Sequence, residues 1–246
     1  MKTPKRKRLT ITLLIVAGVL LVILAAALIY LTSGYEADEA AVNAFLSDID
    51  IEEFEKDGYL VFKPQKASLG LIFYPGGKVD HRAYIPLMRA CAANGILAIL
   101  VEMPFDLAIL DVDAADGIQA SFPTVRSWYI GGHSLGGAMA ASYLENEHEN
   151  YDGLILLAAY STADLSQTNL KVLSVYGSED GILNFEKYEK NKSNLPEDFK
   201  EVELSGACHA YFGIYGAQKG DGNPKIQNDE QIFLSAKEIS RFVFDY

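Results

Sequence analysis

Ser134 stands in the stretch Gly132-His133-Ser134-Leu135-Gly136, after the apolar run SWYIGGH (127–133) and before LGGAMAASYLENE (135–147). A serine hydroxyl is a weak nucleophile unless a base takes its proton and donors meet the charge that develops on the attacked oxygen. The glycine-flanked serine also fits a strand-to-helix turn without chemistry, so its partners decide the reading. There are four histidines. His148 lies at a helix end in ENEHEN, where solvent is expected. His81 trails an apolar run by several residues. His133 belongs to the turn itself, where its backbone matters more than its ring. His209, in SGACHAYFG, comes just past the run FKEVELSG and fits the base. The base needs an acid to fix its tautomer. Past LKVLSVYG comes Ser178-Glu179-Asp180-Gly181, and Asp180, beside a glycine that permits a tight turn, fits better than Glu179; Asp164 is the reserve. Two N–H donors are needed for the oxyanion. One is Leu135, directly after the serine. The other is expected in Pro75-Gly76-Gly77-Lys78, from Gly77, with Lys78 as its substitute.

These residues need a scaffold that brings distant loops to one edge. The apolar runs 70–76, 96–104, 127–133, 151–160 and 170–177 are hydrophobic throughout rather than alternating. Helical patterns at 83–95 and 135–147 fall between them, a weaker one covers 109–122, and others follow at 185–194 and 229–244. Such alternation predicts an α/β domain with a mostly parallel sheet covered on both faces, without a cap domain, because only about ten residues join the runs at 151–160 and 170–177. In such a sheet, ligands gather past the carboxyl ends of the strands, where Ser134, Leu135, Asp180, His209 and Gly77 are expected. Asp57-Gly58 between two strand-like runs predicts a hairpin. Glu102 and Tyr211 fall at the same edge as weaker substrate-contact candidates. Phe105, Tyr160, Phe212 and Tyr215 join Tyr211 as a possible aromatic wall, and 219–225 (KGDGNPK) reads as a flexible loop.

The front of the chain is different. Leu9 to Leu31 is 23 residues without a charge, about 34 Å as a helix, long enough for a hydrocarbon core of roughly 30 Å. Lys2, Lys5, Arg6, Lys7 and Arg8 precede it, and the next basic residue is Lys56. This asymmetry predicts a basic cytoplasmic tail (1–8), a plasma-membrane signal anchor (9–31), a stalk helix (32–49) and an extracytoplasmic domain (50–246). The stalk would present Ala41, Val42, Phe45, Leu46 and Ile49 on one face. Cleavage near Ala25-Ala26-Ala27 would instead release a secreted domain, but the apolar run outlasts a usual signal core. After the apolar run there are 16 basic and 33 acidic side chains, a formal −17, which excludes a nucleic-acid partner. Cys91 and Cys208 form no metal-ligand pattern, and a disulfide between them would need an oxidising compartment. No motif speaks for a metal, a cofactor or an oligomeric state.

GHSLGG, YPGGKVD, GSEDG and CHAYFG, in that order, resemble the α/β-hydrolase family over roughly 50–246, and among its branches the small lidless carboxylesterase-like and dienelactone-hydrolase-like members. The chain differs in having Pro75 where lipase relatives have histidine, and Ser134 where a dienelactone-type enzyme carries cysteine. The resemblance implies a Ser-His-Asp hydrolase working through an acyl-enzyme on a small ester or acyl substrate. An acyltransferase or peptidase on the same triad, or a non-catalytic surface module of this fold, are the other readings.

Overall fold

The computed structural model describes residues 4–45 and 49–245. Two compact units are present, Met1–Gly34 and Tyr35–Tyr246. The first is the helix α1 (Pro4–Thr32). Within it, Ile11–Thr32 is long and apolar enough to cross a membrane, with a mean hydropathy of 3.1, although a secretory signal would pass the same test. Lys2 and Leu46 lie outside the described residues.

The second unit holds the strands β1 (Ile51–Lys56), β2 (Tyr59–Pro64), β3 (Leu69–Tyr74), β4 (Leu97–Val101), β5 (Ser127–His133), β6 (Gly153–Leu157), β7 (Lys171–Gly177) and β8 (Lys200–Leu204). They form one eight-stranded sheet in the order β1-β2-β4-β3-β5-β6-β7-β8. β1 and β2 are antiparallel, as are β2 and β4; every other neighbouring pair is parallel. The hairpin turn is Asp57-Gly58, both at positive φ (45° and 84°), the backbone that a two-residue turn matched to strand twist requires.

Alternate residues of each central strand enter different layers. Leu71 and Phe73 of β3 join α3 (Ile85–Ala93) and α6 (Asn228–Phe244) in one core. Ile72 and Tyr74 join α4 (Leu135–Glu147) in the other. With both faces of the central strands covered, their side chains are mostly apolar, which explains the unbroken apolar runs; the buried Ser174 of β7 is bonded to the Tyr188 hydroxyl. The remaining helices, α2 (Glu39–Ala44) and α5 (Phe185–Asn191), are short. Residues 158–170, between β6 and β7, contain no helix.

Two expected helices differ. Among the described residues of 33–49, the expected stalk, helix is confined to the six residues of α2, capped by the Asp38 carboxylate on Ala41 N–H. Residues 109–122 form no α-helix; short 3₁₀ turns stand at Ala108–Leu110 and Gln119–Ser121. Asp111, Asp113 and Asp116 favour turns over helix interior, and Gly117 takes a φ of 74°. The Tyr74 hydroxyl, from beneath, donates to Val112 O (2.8 Å) and accepts from Ala115 N–H (2.9 Å), holding the segment as a loop. Cys91 and Cys208 are free and buried, and burial pushes both thiols up to about 12.

Tyr74→Phe removes the one group that serves Val112 and Ala115 together. It is expected to destabilise the domain by about 1–3 kcal/mol. Urea unfolding reads the loss, and hydrogen exchange should accelerate first at residues 108–122.

Candidate active site

β5 ends at His133 and α4 begins at Leu135, so Ser134 is the whole joint between strand and helix. Its φ of 51° and ψ of −119° lie where a residue with a side chain seldom sits. The joint is held by Ser134 N–H on Leu157 O (2.9 Å) and by Ala138 N–H on Ser134 O (3.1 Å). The helix starts where it does because Gly136 has no side chain: a Cβ there would overlap the carbonyl oxygens of Tyr74 and Pro75. α4 therefore crosses the carboxyl end of β3 in backbone contact.

Asp180 follows β7, and His209 follows β8. Their side chains are almost wholly enclosed, and His209 Nδ1 stands 2.9 Å from Asp180 Oδ2. The other carboxylate oxygen, Oδ1, accepts from the backbone N–H groups of Ile182 and Leu183, both at 2.8 Å. Asp180 is thus fixed on one oxygen and offers the other to the imidazole. His209 and Ser134 line the same cleft, of about 340 Å³, with Leu135, Met139, Tyr160 and Ile182. A larger cleft of about 560 Å³ lies at the opposite edge of the sheet, around Lys63, Lys66 and Phe244, and holds none of Ser134, Asp180, His209, Gly77 and Leu135.

Gly77 and Leu135 are brought together: a Cβ built on Gly77 would stand 2.8 Å from Leu135 Cδ2. The hydrogen bonds around them separate the candidates. Gly76 N–H goes to the Tyr84 hydroxyl (3.1 Å), and Lys78 N–H goes to Asp106 O (2.7 Å). Lys78 is therefore ruled out as the substitute donor. Among the described residues, Gly77 N–H and Leu135 N–H have no hydrogen-bond acceptor in the protein.

Several expectations need correction. Glu102 is exposed and lines a separate hollow with Glu55, His81 and Arg82, because β3 separates β4 from β5 in the sheet. Tyr211 lines a groove beside α2, with Asp38 and Asn228. Phe212 and Tyr215 are core residues. Of the expected aromatic wall, Tyr160 alone lines the serine cleft among the described residues. Asp164 folds onto Ser166 in a local turn. His148 is half-buried rather than solvated.

Two residues were missed. The His133 ring, read as incidental, is buried against His209, with ring centres 4.5 Å apart. The Tyr84 hydroxyl lies 2.8 Å from His133 Nδ1. Tyr84 thus accepts from Gly76 N–H and shares a second hydrogen bond with His133 Nδ1, while His133 Nε2 is buried without a hydrogen-bond partner among the described residues. Burial, together with the nearby His209 imidazole, holds His133 well below the ordinary histidine range, so the ring is neutral. The second is Asp221, in the segment read as flexible. Its Oδ1 accepts from Gly181 N–H (3.0 Å), Gly222 N–H (2.8 Å) and His209 N–H (3.2 Å), and its Oδ2 from Ala210 N–H (2.8 Å). It ties the Asp180 loop to the His209 loop. A Cβ at Gly222 would overlap Glu179 O, so the segment is docked. A second clamp comes from α6, where Gln231 accepts from Cys208 N–H (3.0 Å) and donates to Cys208 O (2.7 Å). A lone Asp between glycines, twelve residues past the histidine, gave no periodic or motif signal.

A profile of the alpha/beta hydrolase family matches residues 70–233. Among solved structures, the chain is similar to a dienelactone hydrolase from Anabaena variabilis, at 14% identity and a TM-score of 0.59, over 80% of this chain and 99% of that one. It is also similar to a thermostable esterase from Pseudomonas putida, at 14% identity and a TM-score of 0.59, over 83% and 86%. Est1E from Butyrivibrio proteoclasticus matches at 15% identity and a TM-score of 0.53, over 77% and 96%. At these identities the likeness is one of fold. No curated protein matches by sequence.

Burial pushes the Asp221 carboxyl up, but backbone N–H bonds from Ala210, Gly181, Gly222 and His209 outweigh it, and the group is held below the usual carboxylate range. A carboxyl lowered on folding adds stability that is complete above its unfolded value of about 3.9 and is lost as pH falls through the folded value. Asp221→Asn keeps an acceptor on one side but sets an amide N–H₂ against Ala210 N–H. It is expected to cost about 1–3 kcal/mol, in a gap to the parent that is constant above pH ~5 and narrows below pH ~4. Urea melts across that range test the sign.

Proposed function

The chain belongs to the alpha/beta hydrolase family, and from that premise we propose that it is a serine hydrolase of carboxylic esters with small or medium acyl groups. Ser134 Oγ attacks the ester carbonyl as His209 Nε2 takes its proton. Asp180 holds the Nδ1 proton and stabilises the imidazolium. Gly77 N–H and Leu135 N–H receive the oxyanion. The tetrahedral intermediate collapses, the C–O bond to the alcohol breaks, and His209 returns the proton to the departing alkoxide. Water, deprotonated by the same imidazole, then attacks the acyl-Ser134 ester and releases the acid. No metal or cofactor enters. The observation that carries this reading is the enclosed contact of Asp180 with His209, whose imidazole lines the cleft of a serine in strained backbone. Leu135, Met139, Ile182 and Leu183 give the cleft an apolar lining suited to an acyl chain. We also propose that Ile11–Thr32 stays attached and anchors the enzyme with its catalytic domain outside the plasma membrane.

The test is labelling of the full chain in detergent with a fluorophosphonate. The parent should be labelled at Ser134, and Ser134→Ala and His209→Ala should not. Ser134→Ala is expected to lose about 10⁶-fold in kcat, and Asp180→Asn about 10⁴-fold. A folded parent that takes no label would overturn the reading and leave a binding module. Ester product forming in place of acid when an alcohol is added would assign acyl transfer.

A further inference from the structure

Among the described residues of the second unit, six large apolar side chains are exposed, and three of them share one short loop: Phe105 (52%), Ile109 (58%) and Leu110 (53%). The loop follows β4 and so lies at the carboxyl edge of the sheet, the edge of the serine cleft. It is not loose. Met103 and Ala108 anchor it in the core beneath α4. Asp106 O accepts from Lys78 N–H, next to Gly77, and Tyr74 holds the residues that follow. Phe105 and Asp106 both take positive φ, 53° and 55°, an unfavourable backbone for a bulky aromatic residue that does not pack inward. A firmly held loop thus presents three apolar side chains to solvent beside the proposed oxyanion donors. Exposed apolar clusters of this kind mark contact surfaces.

The covalent chain indicates which surface. Tyr35 is strapped to the same loop system: its N–H bonds Lys78 O (2.7 Å), its carbonyl accepts from Asp80 N–H (3.0 Å), and it pairs with Val79 as a parallel bridge. Only Ser33 and Gly34 separate Tyr35 from the last residue of the apolar span. Three peptide steps reach about 11 Å at most, wherever the span points. If the span is held in a bilayer, residues 78–80 cannot leave the neighbourhood of its surface, and the apolar loop is hydrogen-bonded to them.

We propose that Phe105, Ile109 and Leu110 dip into the bilayer surface and that the serine cleft takes its ester from the membrane, so that the substrate is a lipid or another amphiphile with an ester near the headgroup. The proposal rests on the uncleaved span and deepens the esterase reading. With 16 basic and 33 acidic side chains after the span, and Asp111 and Asp113 beside the loop, the surface it fits is zwitterionic rather than anionic.

The test uses the full chain reconstituted in phosphatidylcholine vesicles. Cys91 and Cys208 are buried, so Leu110→Cys and Phe244→Cys each give one reactive thiol for an environment-sensitive fluorophore, the second as a control beside Gly95 at the opposite edge of the sheet. Headgroup-proximal doxyl lipid is expected to quench the label at position 110 about twofold more than at 244. The pair Ile109→Asp with Leu110→Asp is expected to raise KM for a vesicle-embedded ester about tenfold or more while leaving kcat/KM for a water-soluble ester unchanged. Equal quenching at both positions overturns the proposal, as does a label protected by a second copy of the chain, seen as 110-to-110 crosslinking, or a mature protein that has lost its span and leaves the vesicles. Selective quenching at 110 with no hydrolysis of either ester leaves the docking intact and sinks the esterase reading instead.

Discussion

The fit of α4 over the carboxyl end of β3 is the constraint on which the rest of the site depends. Gly136 lies against the carbonyl oxygens of Tyr74 and Pro75, at a distance that no Cβ would tolerate. Because helix and strand meet there in backbone contact, the joint between β5 and α4 has a single residue in which to turn, and Ser134 takes the strained φ and ψ that result. The same contact sets Leu135 against Gly77, where their N–H groups lack acceptors among the described residues. The proposed nucleophile and oxyanion donors are therefore consequences of one packing event. Strain of this kind persists only where the surroundings over-determine it, and here two buried core layers and the bond from Ser134 N–H to Leu157 O do so.

The proposed acid and base are held by another device. Asp180 and His209 stand at the ends of adjacent parallel strands, β7 and β8, but strands fix only where a loop begins. Asp221 sets the distance between the two loops by receiving N–H groups from both, and Gln231 fixes the residue before the histidine. A carboxylate is suited to that task. It accepts on both oxygens without donating, so it meets four converging N–H groups with no mismatch.

The parts of this arrangement legible in the sequence were those with a local signature. Unbroken apolar runs announced strands covered on both faces, and a residue just past such a run announced its edge; Ser134, Leu135, Asp180 and Gly77 stand there, while His209 follows the charged run FKEVELSG. What the sequence hid depends on order across the sheet and on contacts between distant segments. Glu102 follows a strand just as Ser134 does, yet β3 intervenes, and strand order is not written in any one strand. Residues 109–122 have apolar spacing that suits a helix, but the hydroxyl of Tyr74, 38 residues before Val112 and 41 before Ala115, satisfies their backbone as a loop. The Asp221 clamp and the His133 ring contact arise only once β8 has brought its loop beside β5's.

The two halves of the site meet at the contact between His133 and His209. From Gly76 the chain of bonds runs through the Tyr84 hydroxyl to His133 Nδ1, and the His133 ring then packs on the imidazole held by Asp180. The glycine loop and the proposed base are thus linked through two buried groups. The arrangement works only if His133 carries no charge. In the proposed reaction His209 gains a proton at the moment the oxyanion forms, and a second imidazolium 4.5 Å away would oppose that step in a site that solvent screens poorly. Burial removes the conflict by holding His133 neutral. His133 then links the two loops without perturbing the charge that the proposed acid and oxyanion donors would stabilise.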